Sequence, residues 1–134
     1  MQRHRLRVGV AVAIMLTAIL ACGFSVSTAS IKDAWMARDQ EGEGRTTVFG
    51  PDEVFYCIVD LANAPDDTTV KASWTAVAVE GADPNTFIDE TELTTGTGNM
   101  HFELSNTSLW PVGEYKVDLY LNGELDRTLE FDVQ

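Results

Sequence analysis

The most regular stretch of the sequence is YKVDLYLNGELDRTLEFDV, residues 115–133. Apolar and polar residues alternate on both sides of its central Asn122-Gly123 pair. This period of two is typical of β-strands with one buried face. Asn-Gly supplies the two positive-φ positions that a type I′ hairpin turn requires. The stretch therefore predicts a β-hairpin whose shared inward face carries Tyr115, Val117, Leu119, Leu121, Leu129, Phe131 and Val133.

The same alternation recurs upstream in short runs separated by turn residues. These runs predict strands over residues 31–38, 53–61, 70–79, 86–93 and 99–105, and a short extended piece over residues 46–49. Beyond residue 30, no run keeps the helical period over the roughly 10–12 residues that a helix needs. We therefore expect residues 31–134 to form an all-β domain, an antiparallel two-sheet sandwich of about seven strands.

The first 21 residues have the composition of a bacterial export signal. Arg3, Arg5 and Arg7 precede an apolar run over residues 8–20, and small residues follow it. A basic segment, a short apolar segment and small residues are the three parts of a secretory signal peptide. We expect a signal or anchor helix here that takes no part in the folded domain.

The end of this run, Ile19-Leu20-Ala21-Cys22, resembles the lipobox of bacterial lipoproteins. The resemblance implies cleavage before Cys22 and a diacylglycerol on its thiol. It divides the chain into a signal peptide (residues 1–21), a lipidated cysteine with its tether (22–30) and the sandwich domain (31–134). The expected location is the extracytoplasmic face of the cell membrane, where the lipid anchor makes the membrane itself a partner.

Two other readings of the leader remain open. Residues 8–26 are almost continuously apolar, so an uncleaved transmembrane anchor is an alternative to the lipid. Cleavage near Ser27-Thr28-Ala29 by an ordinary signal peptidase would instead release a soluble domain. All three readings place the domain outside the cytoplasm.

The exported part of the chain is strongly acidic. After removal of residues 1–21 it holds all 21 acidic residues and six of the nine basic ones, a formal charge of −15 (6 − 21). Such a surface repels nucleic-acid phosphates and anionic lipid headgroups. We therefore expect no nucleic-acid partner, while cationic proteins, metal ions and neutral glycans stay open. Acidity also serves solubility alone.

The predicted strand order resembles the immunoglobulin-like domains of bacterial surface proteins. Cys57 and Trp74 stand where that family has its first core cysteine and its core tryptophan, and Tyr115 fits the tyrosine corner. The sequence departs from the family in one place, because Val117 replaces the second core cysteine. If Cys22 carries lipid, Cys57 has no partner for an intrachain disulfide, and the domain depends on packing for its stability.

The sequence provides little for catalysis. His4 lies in the leader, and His101 lies on the polar face of a predicted strand without a second histidine or a nucleophile motif beside it. We expect no enzyme activity, no cofactor and no zinc site. Two acidic groups without EF-hand spacing leave calcium as an open alternative: Asp39, Glu41 and Glu43, and Asp83, Asp89, Glu90 and Glu92.

The function predicted from these features is that of a non-catalytic, lipid-anchored cell-envelope protein. The domain would bind an envelope protein or serve as an assembly module. One alternative is a lipoprotein that binds glycans or small ligands through outward aromatic side chains, namely Trp35, Tyr56, Trp110 and Tyr120. Tyr56 and Tyr120 are predicted on outward faces of neighbouring strands. Another alternative is an immunoglobulin-like protease inhibitor.

Overall fold

The computed structural model describes residues 28–134, and the regular secondary structure of these residues consists of β-strands. The predicted signal peptide, its helix and Cys22 lie outside the described residues. The strands are β1 (Ser30–Ala37), β2 (Val48–Phe49), β3 (Phe55–Ala62), β4 (Thr68–Val79), β5 (Thr86–Thr95), β6 (Gly98–Leu104), β7 (Gly113–Leu121) and β8 (Glu124–Val133).

The eight strands form two sheets that face each other. One sheet has the order β1-β3-β6 and the other has the order β2-β8-β7-β4-β5. The chain forms hairpins within a sheet at β4–β5 and β7–β8, and its other connections cross between the sheets. Strand pairs are antiparallel apart from the two-residue parallel pairing of β2 with β8. The all-β, two-sheet sandwich is confirmed, and short β2 brings the strands to eight.

The core lies between the sheets and uses the alternating side chains that the sequence predicts. Each inward set is buried. The sets are Phe55, Cys57, Val59 and Leu61 on β3, Val70, Ala72, Trp74 and Ala76 on β4, and Tyr115, Val117 and Leu119 on β7. Strand β5 differs, because nearly all of its residues are exposed on both faces.

An aromatic cluster centred on Phe55 fills one half of the core. The Phe55 ring centroid lies 4.7 Å from that of Trp110, 4.8 Å from Phe131 and 5.0 Å from Phe49. Tyr115 stacks on Phe131 at 5.5 Å. Aromatic pairs at these separations contribute roughly 0.5–1.5 kcal/mol each beyond the burial of their area.

The hairpin turn between β7 and β8 forms as predicted. Asn122 and Gly123 adopt φ values of 48° and 86°, the positive angles of a type I′ turn. The Asn122 amide donates to the Thr69 carbonyl at 2.9 Å, and its side-chain oxygen accepts from the Thr69 amide at 3.0 Å. The turn is thereby tied to the first residues of β4.

The positions that carry the immunoglobulin-like resemblance lie where that resemblance predicts. The Tyr115 hydroxyl donates to the Pro111 carbonyl at 2.6 Å, which is the hydrogen bond of a tyrosine corner. Cys57 is a free, fully buried thiol, and Val117 is also fully buried. Burial raises the pKa of Cys57 from 9.0 to about 12. Packing occupies the place of the family's disulfide.

The sandwich has two distinct ends. At the N-terminal end, Ser30 pairs with Ala62, and the connections of residues 63–67, 96–97 and 122–123 gather beside it. The far end carries residues 50–54, 80–85 and 105–112. There the Trp110 amide donates to the Pro51 carbonyl at 2.8 Å, and the Glu80 amide donates to the Val112 carbonyl at 3.0 Å. In the part of the chain from residue 28 onward, no helix has the length and apolarity to cross a membrane.

Candidate functional site

The four aromatic residues predicted to bind a ligand lie in three separate places. Trp35 and Tyr56 lie on the outer face of the three-stranded sheet, and Tyr120 lies on the outer face of the five-stranded sheet. Trp110 is in the core. The prediction that Tyr56 and Tyr120 occupy neighbouring strands is wrong, since β3 and β7 belong to different sheets and their outer faces point in opposite directions.

Trp110 is a core residue and not a surface aromatic. It is 8% exposed and stacks on Phe55. Its indole nitrogen donates to the Glu53 carbonyl at 3.1 Å, so the polar atom of the ring is satisfied inside the fold. The β6–β7 connection turns this ring inward, and the expectation of an outward ligand-binding role is therefore corrected.

Trp35 is partly covered by the connection between β1 and β2. The Arg45 guanidinium lies 3.9 Å from the centre of the ring, and the indole nitrogen donates to the Gly42 carbonyl at 2.9 Å. A Cβ at Gly42 would lie 2.8 Å from both Trp35 and Ile58, so only glycine fits here without a shift. This close approach also buries Ile58, although the alternation of β3 turns Ile58 outward.

The two tyrosines have different surroundings. The Lys71 ammonium lies 4.5 Å from the centre of the Tyr120 ring and occupies one face of it. Tyr56 lies beside His101, with 6.2 Å between ring centroids. Burial raises the pKa of Tyr56, and the negative charge of Glu103 raises it further. Two of the three outward rings thus already have a cation on one face, and no shared platform forms.

The acidic groups do not come together as a cation site. The Asp39 carboxylate accepts hydrogen bonds from the amides of Gly44 at 2.6 Å and Glu43 at 3.1 Å. These two bonds lower its pKa, that from Gly44 most. Asp39 therefore closes its own turn. Within residues 28–134, no three acidic, histidine or cysteine side chains converge on a point where they could hold a metal.

Leucine and valine side chains are exposed at the far end. Leu109 is 67% exposed and Val112 is 40% exposed. A shallow cavity of about 330 Å³ lies beside Leu109, lined by residues 51–54 and 106–110, including the carboxylates Asp52 and Glu53. The sequence predicted a role for Trp110 of this loop but not for Leu109. The sequence feature that could have indicated this surface is the leucine that directly follows the polar run Asn106-Thr107-Ser108.

A second exposed surface is the edge strand β5. Its side chains include Phe87, which is 59% exposed, and Leu93, which is 38% exposed. Between them lie Asp89, Glu90 and Glu92. The sequence predicted a strand here, but it did not predict that both faces of the strand would be open to solvent.

A groove of about 580 Å³ runs between β1 and β8 on the opposite edge of the sandwich. Trp35, Met36 and Leu129 line it together with threonines and Arg45. A hydrogen bond joins the two strands, in which the Arg127 guanidinium donates to the Ile31 carbonyl at 2.6 Å. Of the four predicted aromatic residues, Trp35 lines this groove.

Comparison with known proteins identifies the fold. No protein-family model matches the chain, and no curated protein matches it. An immunoglobulin-like protein from Pseudomonas aeruginosa has a TM-score of 0.55 at 16% identity, over 82% of this chain and 99% of that one.

Larger proteins contain a similar unit. The alkylpurine DNA glycosylase AlkC from Pseudomonas fluorescens matches with a TM-score of 0.53 at 18% identity, over 81% of this chain and 31% of that one. A β-glucosidase from Erythrobacter marinus matches with a TM-score of 0.52 at 12% identity, over 81% of this chain and 16% of that one. This chain thus spans under a third of either protein. At these identities the comparisons show the fold alone, an immunoglobulin-like β-sandwich.

Proposed function

We propose that this chain is a non-catalytic, lipid-anchored protein of the bacterial cell envelope that binds a partner protein through the far end of its sandwich. The observation that carries the proposal is the exposed Leu109 on an acidic domain, at the end opposite the N-terminus. Val112 is also exposed in the same connection, and apolar patches rimmed by polar residues mark protein-interaction sites.

The anchor rests on the lipobox at Cys22. Each buried methylene contributes about 0.8 kcal/mol and a single acyl chain binds marginally, so two or three chains on one cysteine hold a protein firmly. The tether of residues 22–29 reaches at most roughly 28 Å when fully extended, at about 3.5 Å per residue. Because β1 begins at the N-terminal end of the sandwich, an anchor at Cys22 would attach the domain through that end and leave the far end accessible to a partner.

The charge of the domain favours distance from an anionic bilayer. Five ion pairs use five of the six basic residues after Cys22, so most of the 21 carboxylates have no cationic partner in residues 28–134. Anionic headgroups repel such a surface, which favours a domain that extends from the bilayer. The same charge attracts a cationic partner and raises its rate of association.

The glycan-binding alternative has less support. A sugar platform needs neighbouring open ring faces, whereas Trp35 and Tyr120 each carry a cation on one face and lie on different sheets. Trp110 is buried. The groove between β1 and β8 is a concave surface that includes Trp35, one of the predicted aromatic residues that lie on an outer face.

Metabolic labelling with a fatty acid tests the anchor. We expect Cys22→Ala to abolish labelling and to leave unprocessed precursor, while Cys57→Ala, the matched cysteine control, keeps its label. Labelling that survives in Cys22→Ala would show that Cys22 is not the lipid site.

Site-specific photocrosslinking in intact cells tests the interface. A photoreactive residue replaces either Leu109 at the far end or Leu125 near the N-terminal end, and the two leucines are 67% and 58% exposed. We expect a discrete adduct from position 109 and none from position 125. Equal adducts from both positions, or none from position 109, would contradict a far-end interface.

A further inference from the structure

Strand β5 leaves one edge of the five-stranded sheet open. It is the last strand in the order β2-β8-β7-β4-β5, and in the described residues it pairs with β4 alone. The Glu90 amide donates to the Asp89 carboxylate at 2.8 Å. Backbone groups of an antiparallel strand point alternately to its two sides, so the amides of Glu92 and Thr94 share the direction of the Glu90 amide, towards solvent.

Both faces of β5 have room for a neighbour. Val70, Ala72 and Trp74 of β4 are buried, yet their cross-strand partners Leu93, Thr91 and Asp89 are exposed. The sheet of β1, β3 and β6 therefore does not cover these three positions of β5. A strand added beyond β5 would meet no opposing sheet. The open edge is also long, with ten residues against eight in β1 and seven in β6, the two edge strands of the other sheet.

The charge on this edge discriminates between partners. Glu90 and Glu92 point to the outer face, on the same side as Lys71, whose ammonium lies 3.9 Å from Glu90. A second copy pairing antiparallel about position 90, 91 or 92 would place an acid directly opposite an acid. Like charges opposite each other destabilise a strand pair, and opposite charges stabilise it.

We infer that β5 binds an extended cationic segment of a partner protein by strand addition. The partner carries lysine or arginine at alternate positions, opposite Glu90 and Glu92, and uncharged side chains between them. Main-chain hydrogen bonds to the amides and carbonyls of Glu92 and Thr94 provide affinity, and the alternating charges set register and specificity. This surface is separate from the far-end loop and does not depend on the lipid anchor.

Apolar side chains flank the acidic segment. Phe87 opposes Thr75 on the outer face, whereas Leu93 opposes Val70 on the inner face. The register shift between Trp74 and Thr75 separates the two and changes the alternation. An added strand of matching length therefore gains an apolar contact on each face, one near each end.

A peptide titration with the full chain in detergent tests the inference. The probe is a peptide as long as β5 in which lysine and valine alternate. We expect saturable binding and slower hydrogen exchange at the amides of Glu92 and Thr94. The same peptide with its interior amides N-methylated keeps its charge but loses its interior main-chain donors, so it should not bind measurably at the same concentrations.

Charge reversal distinguishes peptide binding at β5 from nonspecific attraction of the peptide to an acidic protein. We expect the double variant Glu90→Lys with Glu92→Lys to weaken binding about tenfold, because two favourable cross-strand pairs become repulsive. The control is Glu114→Lys with Glu130→Lys, which changes the net charge equally on β7 and β8 and should leave the affinity within about twofold.

Each outcome of these titrations decides the question. Equal binding of the methylated peptide, or no protection of the two edge amides, would show electrostatic attachment without strand addition and overturn the inference. Equal weakening by both double variants would overturn the location. Protection of these amides without peptide, together with a dimer in sedimentation, would identify a second copy as the occupant instead.

Discussion

Truncation of Phe55 is the sharpest test of the packing argument. Its side chain is fully buried and its ring lies within 6.5 Å, centre to centre, of five other aromatic rings. These rings come from β2, β4, the β6–β7 connection, β7 and β8. Phe55→Ala therefore opens a cavity at the point where both sheets and the far-end loop meet.

The expected loss is a large share of the total stability. Burial and cavity terms for phenylalanine-to-alanine changes amount to about 3–5 kcal/mol. A domain of this size has a free energy of unfolding of roughly 5–15 kcal/mol. With a urea dependence of about 2 kcal/mol per molar, the unfolding midpoint falls by about 2 M. Urea titration of residues 28–134, followed by circular dichroism, measures this shift.

The protein contains its own control for this experiment. Phe87 is 59% exposed, so Phe87→Ala removes the same atoms from an open site. We expect that variant to stay within about 0.5 kcal/mol of the parent. A loss below about 1 kcal/mol for Phe55→Ala, or similar losses for both variants, would refute the assignment of the core to this aromatic cluster.

The buried residues Tyr115, Cys57 and Gly42 give the remaining predictions. Tyr115→Phe removes a buried hydrogen bond and should lower the free energy of unfolding by about 1 kcal/mol in the same titration, whereas Tyr120→Phe should have little effect. The Cys57 thiol should stay unreactive towards a disulfide reagent until the domain unfolds, and prompt labelling of native protein would contradict its burial. Burial raises the pKa of the Cys57 thiol from 9.0 to about 12. The contribution of the neutral thiol to the free energy of unfolding should therefore be full below pH 9 and decline as the pH rises towards 12. Cys57→Ala should lack this decline. Gly42→Ala should cost more stability than Gly81→Ala, since both residues have φ of 78° but only the first would place its methyl against neighbouring side chains.

Local patterns in the sequence carry most of the strand information. A period of two identifies which side chains face the core, because successive side chains of a strand point to opposite faces. Phe102 and Leu104 of β6 and Phe131 of β8 are buried on this basis, as predicted. The Asn122-Gly123 turn could also be predicted from the sequence, because few residues adopt the positive φ angles that this turn requires.

The sequence did not allow the strands to be assigned to their sheets. Alternation gives the inward face of a strand but not the sheet to which it belongs, and the predicted neighbours Tyr56 and Tyr120 therefore lie on opposite surfaces. Irregular segments carry no period at all. The burial of Trp110 depends on a bond to a carbonyl 57 residues earlier in the chain, and that of Ile58 on the close approach of Gly42.

The candidate surfaces arise from the unequal width of the two sheets. Five strands face three, so the core can be complete beneath β3, β4 and β7 while β5 contributes the partly buried Ile88 and is otherwise mostly exposed. Side chains on β5 and at Leu109 contribute little to the packed interior, and their replacement should change binding with little change in stability. The reverse holds at Phe55, where a change should lower stability first and affect binding only through the loss of folded protein. A variant of Glu90, Glu92 or Leu109 that unfolds the domain would thus count against this separation of the binding surfaces from the core.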